Sequence, residues 1–169
     1  MEKMKIIAFL ALFVLGLASL SLARGLEITE VDVHVDYDEA YTYRIENRER
    51  KNSATVPIVN NSKIDADIFP GSNVTFTVRV ENTFQRDKET IKDTVVTIKI
   101  EEIDDQSDME ENSLDFELEP GGDERFDVKF AIPLEADAGT YKMFIEAEGE
   151  DKNRTFYRTE LMLKLEVRK

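Results

Sequence analysis

The sequence predicts an all-β protein: a sandwich of seven to eight antiparallel strands, with a helical signal peptide ahead of it. Three observations carry that expectation. Segment after segment beyond residue 23 alternates apolar and polar side chains with period two, the pattern of a strand with one buried face. Turn signals at Pro70-Gly71, Pro120-Gly121-Gly122 and Asp137-Ala138-Gly139 separate those segments. Outside the first 23 residues no stretch carries a convincing helical period. Short, evenly spaced strands with turns between them read as a sandwich or barrel.

The first element is the signal. Met1-Glu2-Lys3-Met4-Lys5 is a short charged start, Ile6 to Ala23 holds no ionisable residue, and Ser21-Leu22-Ala23 ends the run with small residues. That is the layout of a cleavable secretory signal, cut between Ala23 and Arg24. The alternative is an uncleaved anchor crossing a membrane through residues 6–23, because a run of this length meets the lower bound for a span. Cleavage is favoured by Gly16, Ser19 and Ser21, which dilute the final stretch. The chain has no cysteine, so a bacterial lipid anchor, disulfides and Cys-ligated zinc are excluded. The 169-residue chain without its first 23 residues is still long enough to bury roughly two thirds of its unfolded surface unaided.

Residues 24–63 read as a first strand followed by an irregular polar segment. Val31, Val33, Val35 and Tyr37 alternate with Asp32, His34 and Asp36, and the polar stretch contains Tyr41, Tyr43 and Arg48-Glu49-Arg50-Lys51. Residues 64–169 read as the main sandwich. Ile64, Ala66 and Ile68 lead to Pro70-Gly71; then Val74, Phe76, Val78 and Val80 form the clearest strand. Val96, Ile98 and Ile100 make the next, an acidic loop spans Glu101 to Asn112, and Leu114, Phe116 and Leu118 turn inward after it. Phe126, Val128, Phe130 and Ile132 follow, stopped by Pro133. Tyr141, Met143, Ile145 and Ala147, then Leu161, Leu163, Leu165 and Val167, close the pattern.

Asp137-Ala138-Gly139-Thr140-Tyr141 resembles the Asp-x-Gly-x-Tyr tyrosine corner of immunoglobulin-like domains, with Met143 where a disulfide cysteine would stand. The likeness assigns Asp137, Gly139 and Tyr141 a structural role, the Tyr141 hydroxyl bonding backbone at the corner. Residues 64–168 are also similar to prokaryotic, archaeal-type cell-surface domains of the cell-adhesion-related, S-layer-associated kind. The shared pieces are Phe69-Pro70-Gly71-Ser72-Asn73-Val74 running to Val80-Glu81-Asn82, then Leu118-Glu119-Pro120-Gly121 and Phe130-Ala131-Ile132-Pro133. That resemblance implies an envelope module and brings no catalytic residues with it.

The formal charge of −14 argues against nucleic-acid partners and anionic lipid surfaces. Asp104, Asp105 and Asp108, in the acidic stretch, are candidates for weak calcium binding, since hard cations take carboxylate oxygens. The stretch lacks the alternate ligand spacing and the sixth-position Gly of an EF-hand, and a solvated loop explains the same charge run. His34, the single histidine, lies between Asp32 and Asp36; a solvent-facing edge strand accounts for that triplet without a metal. Sequons place glycosylation at Asn60, Asn73 and Asn153. Tyr37, Tyr41, Tyr43, Phe84, Phe156 and Tyr157 read either as contact anchors or as packing over the sandwich ends.

Nucleophilic catalysis has no second histidine, no cysteine and no Gly-x-Ser-x-Gly elbow to use. The expectation is therefore a non-enzyme without cofactor, secreted or at the cell surface. It would act as a structural or interaction module meeting envelope proteins or glycans. The alternative is an accessory domain recognising a glycan or an extracellular peptide.

Overall fold

The computed structural model describes residues 25–37, 51–85 and 90–168. The signal segment 1–23, Tyr41, Tyr43 and Arg48-Glu49-Arg50 lie outside them. The described chain is all-β, with ten strands. These are β1 (Leu26–Asp36), β2 (Ser53–Thr55), β3 (Ser62–Lys63), β4 (Asn73–Asn82), β5 (Ile91–Asp104), β6 (Ser107–Asn112), β7 (Phe116–Leu118), β8 (Asp123–Ala131), β9 (Gly139–Glu150) and β10 (Phe156–Val167). One sheet runs β2-β1-β4-β8; the other runs β3-β10-β9-β5-β6, with β7 pairing β5 beside β6.

Seven of the expected strands are present; the alternating Ile64, Ala66 and Ile68 form only an isolated bridge at Ile68, and the further strands are β6, from the stretch read as an acidic loop, and two short pieces. β2 and β3 are three and two residues drawn from the segment read as irregular. β3 also breaks the antiparallel rule: Ser62 and Lys63 run parallel to Leu163 and Lys164, and a parallel bridge joins Ile68 to Val167.

The inward faces form one apolar core. Val74, Phe76, Val78 and Val80 of β4 meet Ile98, Ile100, Met143, Ile145, Leu163 and Leu165 from the opposing sheet, all fully buried. Burying each such side chain contributes roughly 1.5–3 kcal/mol before the entropy of ordering is set against it. Phe76 and Phe130 meet edge to face, ring centroids 5.9 Å apart. Met143 is wholly buried.

Bulges reset the alternation in two long strands. In β1 the pairing with β4 shifts at Thr29, so Leu26 and Ile28 face inward on one phase and Val31, Val33 and Val35 on the other. β5 shifts twice, with Asp93 at φ 49° and Glu102 at φ 57°, which turns Ile91 and Ile103 into the core beside Val96, Ile98 and Ile100. Two expectations are corrected. β1 is not an edge, because β2 lies outside it and covers Asp32 to His34. Leu114 does not turn inward; it is 86% exposed. The reason is that β7 meets β5 only from Phe116 onward, and Ser113 occupies the ladder before it, donating its N–H to the Val96 carbonyl.

Candidate functional site

The acidic stretch is not a loop. It is a hairpin, β5 turning into β6 through Asp105 and Gln106, both at positive φ (46° and 68°) between the paired residues Asp104 and Ser107. Two left-handed residues in succession make the tight turn whose twist matches its flanking strands. The bulge at Glu102 sends Ile103 inward and leaves Glu102 and Asp104 on the surface.

The hairpin tip lies beside the turn that precedes β9. Together they line an open cleft of about 440 Å³ at one end of the sandwich, with Glu102, Asp104, Asp105, Glu135, Asp137 and Tyr141 among its walls. The Tyr141 hydroxyl donates to the Asp137 carbonyl at 2.8 Å, which fixes the far wall. Glu102, Asp104, Asp105 and Glu135 form no ion pair with the described residues. Chemically, the cleft concentrates negative charge.

Asp108 takes no part in it. Its carboxylate sits 2.7 Å from Lys99 Nζ and accepts the Glu102 N–H at 3.0 Å. Those two bonds, Lys99 first, hold the Asp108 carboxyl below the usual carboxylate range. The structure thus places Asp104 and Asp105 in the cleft and separates Asp108 from them. Among the described residues no three His, Asp or Glu side chains are gathered as a metal ion would require.

His34 is exposed and 3.2 Å from Asp36, in a shallow dip with Asp32, Ser53, Thr55 and Thr77. Asp32 accepts instead from the Thr55 hydroxyl at 2.6 Å. The three sequon asparagines are all exposed. Asn60 lies in the turn before β3, where its Oδ1 accepts the Met162 N–H at 2.9 Å. Asn73 opens β4, and Asn153 sits in the β9–β10 turn.

The aromatic residues divide between both readings. Tyr37 packs on Phe69 and donates to the Asp67 carbonyl; Phe84 and Tyr157 meet edge to face at 5.3 Å. Phe156 is 59% exposed.

Two features of the structure went unread in the sequence. Phe144 occupies the polar phase of β9, so it stands on the outer face of the larger sheet in a groove with Lys99, Glu101, Glu146, Arg158 and Glu160. An aromatic residue in a polar phase was the available signal. The second is Asp151, buried in the β9–β10 turn, accepting from the Asn153 and Thr155 amides and the Tyr157 hydroxyl at 2.8, 2.9 and 3.0 Å. Its turn-forming neighbourhood, Asp151-Lys152-Asn153, hinted at that role.

No protein-family profile matches the chain, and no curated protein matches it in sequence. Solved structures do match in shape. The C-terminal domain of wzt superposes with a TM-score of 0.51 at 13% identity, covering 86% of this chain and 74% of that one. A PapD-like domain of human CEP192 (PapD-like domain 7) superposes with a TM-score of 0.43 at 14% identity, covering 68% of this chain and 85% of that domain. The fold is an immunoglobulin-like β-sandwich. Likeness at these identities concerns the fold alone.

Proposed function

We propose that the chain is a non-catalytic, exported module of a prokaryotic cell envelope, of the surface-layer or adhesion-associated kind, acting through its shape and surface charge. The observation that carries this reading is how the strands divide their side chains. Inward positions are spent on one continuous apolar core. Outward positions of the same strands carry charged pairs such as Arg79–Asp123, Arg158–Glu146 and Lys99–Asp108, while Glu102, Asp104, Asp105 and Glu135, which form no ion pair with the described residues, line the cleft at the hairpin end. A surface of this kind favours solubility, repels polyanions and attracts cations diffusely.

The reading rests also on the segment 1–23 as a signal. Fractionation of the native organism with N-terminal sequencing tests it. The expected product begins at Arg24 in the envelope or external fraction. Recovery from the cytosol with Met1 intact would overturn export. Intact-mass analysis of the same material reports whether Asn60, Asn73 or Asn153 carries a glycan.

The alternative, an accessory domain for a glycan or an extracellular peptide, is favoured by Phe144 and its groove of about 410 Å³ on the larger sheet. Aromatic faces ringed by hydrogen-bonding groups suit such ligands. A glycan or peptide array bound by the intact chain, with binding lost in Phe144→Ala, would move the assignment to this reading.

A further inference from the structure

The long edge strand β8 points to a second copy of this chain as a partner. Its neighbour on one side is β4, paired from Asp123 to Ala131 without a register break. On the other side no described residue forms a strand pair with it. The phase of the ladder shows which groups are left open. The Asn82 N–H donates to the Gly122 carbonyl and the Ile132 N–H to the Ser72 carbonyl, each at 2.9 Å. Even-numbered residues of β8 therefore bond β4, and Arg125, Asp127 and Lys129 turn their N–H and C=O groups outward. Such an open row is a template for another strand.

The side chains on the exposed face of β8 read Asp123, Arg125, Asp127, Lys129, an alternation of minus and plus. An antiparallel partner of the same sequence, related by a two-fold axis through Phe126, sets Arg125 against Asp127 of the other copy and Asp123 against its Lys129. Each of these four side chains then meets its opposite, four times across the axis. The same axis makes Arg125 and Asp127 the mutually hydrogen-bonded positions, as their outward backbone groups require. Moving the axis one pair along, to Val128, sets Arg125 against Ala131 and Asp123 against Pro133, which has no N–H.

Other edges do not share this property. β2 and β3 are three and two residues long. β6 carries Asp108, Glu110 and Glu111, which would repel their own copies. Within the chain, Asp123 and Arg125 already contact Arg79 and Glu30, and Asp127 accepts from Thr77. These contacts hold the charged side chains up on the outer face. Lys129 forms no ion pair with the described residues, and the second copy's Asp123 supplies one.

We propose that two copies associate through antiparallel pairing of their β8 strands about Phe126, each copy's Arg125 and Lys129 meeting Asp127 and Asp123 of the other. The proposal does not depend on export, since it concerns only the folded sandwich.

Sedimentation of the full-length chain and zero-length carbodiimide cross-linking test it together. Along one strand Lys129 and Asp123 are about 20 Å apart, six residues at roughly 3.3 Å each, so a direct link between them forms only between copies. The expected result is a concentration-dependent dimer with a Lys129–Asp123 cross-link. Asp127→Lys should weaken it about tenfold or more, because it creates two like-charged pairs. Arg125→Asp combined with Asp127→Arg should restore association, since each reversed charge again faces its opposite. Circular dichroism confirms that every variant is folded. A monomer at all concentrations, or a dimer lacking the cross-link and indifferent to the charge reversal, would overturn the proposal.

Discussion

Asn82 and Leu118 are tied together across the two sheets. Asn82, fully buried at the end of β4, donates from Nδ2 to the Leu118 carbonyl in β7 at 2.9 Å. Its Oδ1 accepts the Phe84 N–H at 3.1 Å, and its backbone exchanges bonds with Gly121 and Gly122 of the following turn. A strand ending in Asn and a later Pro-Gly turn are thus two halves of one clip. Gly121 adopts φ 71° there, a conformation open to glycine at little cost.

Replacing Asn82 by Leu keeps the volume and strands buried polar partners. The Leu118 carbonyl and the Phe84 N–H would each lose a bond, at about 1–3 kcal/mol apiece. Urea unfolding should show a clearly lower midpoint with an unchanged slope. An unaltered midpoint would mean that the clip is incidental.

Tyr141→Phe removes only the hydroxyl that bonds the Asp137 carbonyl at 2.8 Å. The expected loss is about 1 kcal/mol, at the ordinary net worth of one hydrogen bond. Thermal unfolding reads this as a downward shift of several degrees in Tm. If the variant melts with the parent, the corner is held by packing alone.

Gly149 lies opposite the β5 bulge. A Cβ there would come within 2.7 Å of Ile91 Cγ2, 2.8 Å of Thr94 Oγ1 and 3.1 Å of the Lys92 carbonyl. Two of these neighbours are themselves buried. Gly149→Ala should therefore destabilise by about 1–3 kcal/mol through overpacking, despite alanine's lower backbone entropy in the unfolded chain. Chemical denaturation decides it, and a gain in stability would contradict the contact.

Acid should loosen the hairpin. Lys99 first, and the Glu102 N–H after it, lower the Asp108 pKa from its ordinary 3.8; Arg79 does the same for Asp123. The unfolded chain then binds these protons more readily than the folded one. The stabilisation is complete only above about pH 5 and is lost as pH falls through 3.8 toward the lowered values. Asp108→Asn should flatten the Tm profile in that acid range and leave its shape near neutrality unchanged. A variant profile parallel to the parent's at every pH would refute the coupling.

Much of this architecture was legible because a strand's period is two whatever surrounds it. The run Val74, Phe76, Val78, Val80 faces inward residue for residue, and so do Met143, Ile145 and Ala147. Reading failed where one or two residues were inserted into a ladder. Thr29, Asp93 and Glu102 each sit at a phase change visible only against a partner strand. The acidic residues from Glu101 to Asn112 looked like a solvated loop because their charge hid the pairing of Thr97 to Ile100 with Met109 to Asn112.

By itself the sequence determined the long strands, their buried faces away from the bulges and the turns at Pro70-Gly71 and Pro120-Gly121, since each depends on neighbours a few residues away, and its lack of cysteine removed thiol chemistry. Only the tertiary structure decided which carboxylates share a place. Asp104 and Asp105 line one cleft with Glu135, while Asp108 is held by Lys99 on the neighbouring strand. It also decided that β8 ends its sheet, with no described strand pairing its outward side. Strand order is set by contacts far apart in the chain, and local periodicity carries no record of them.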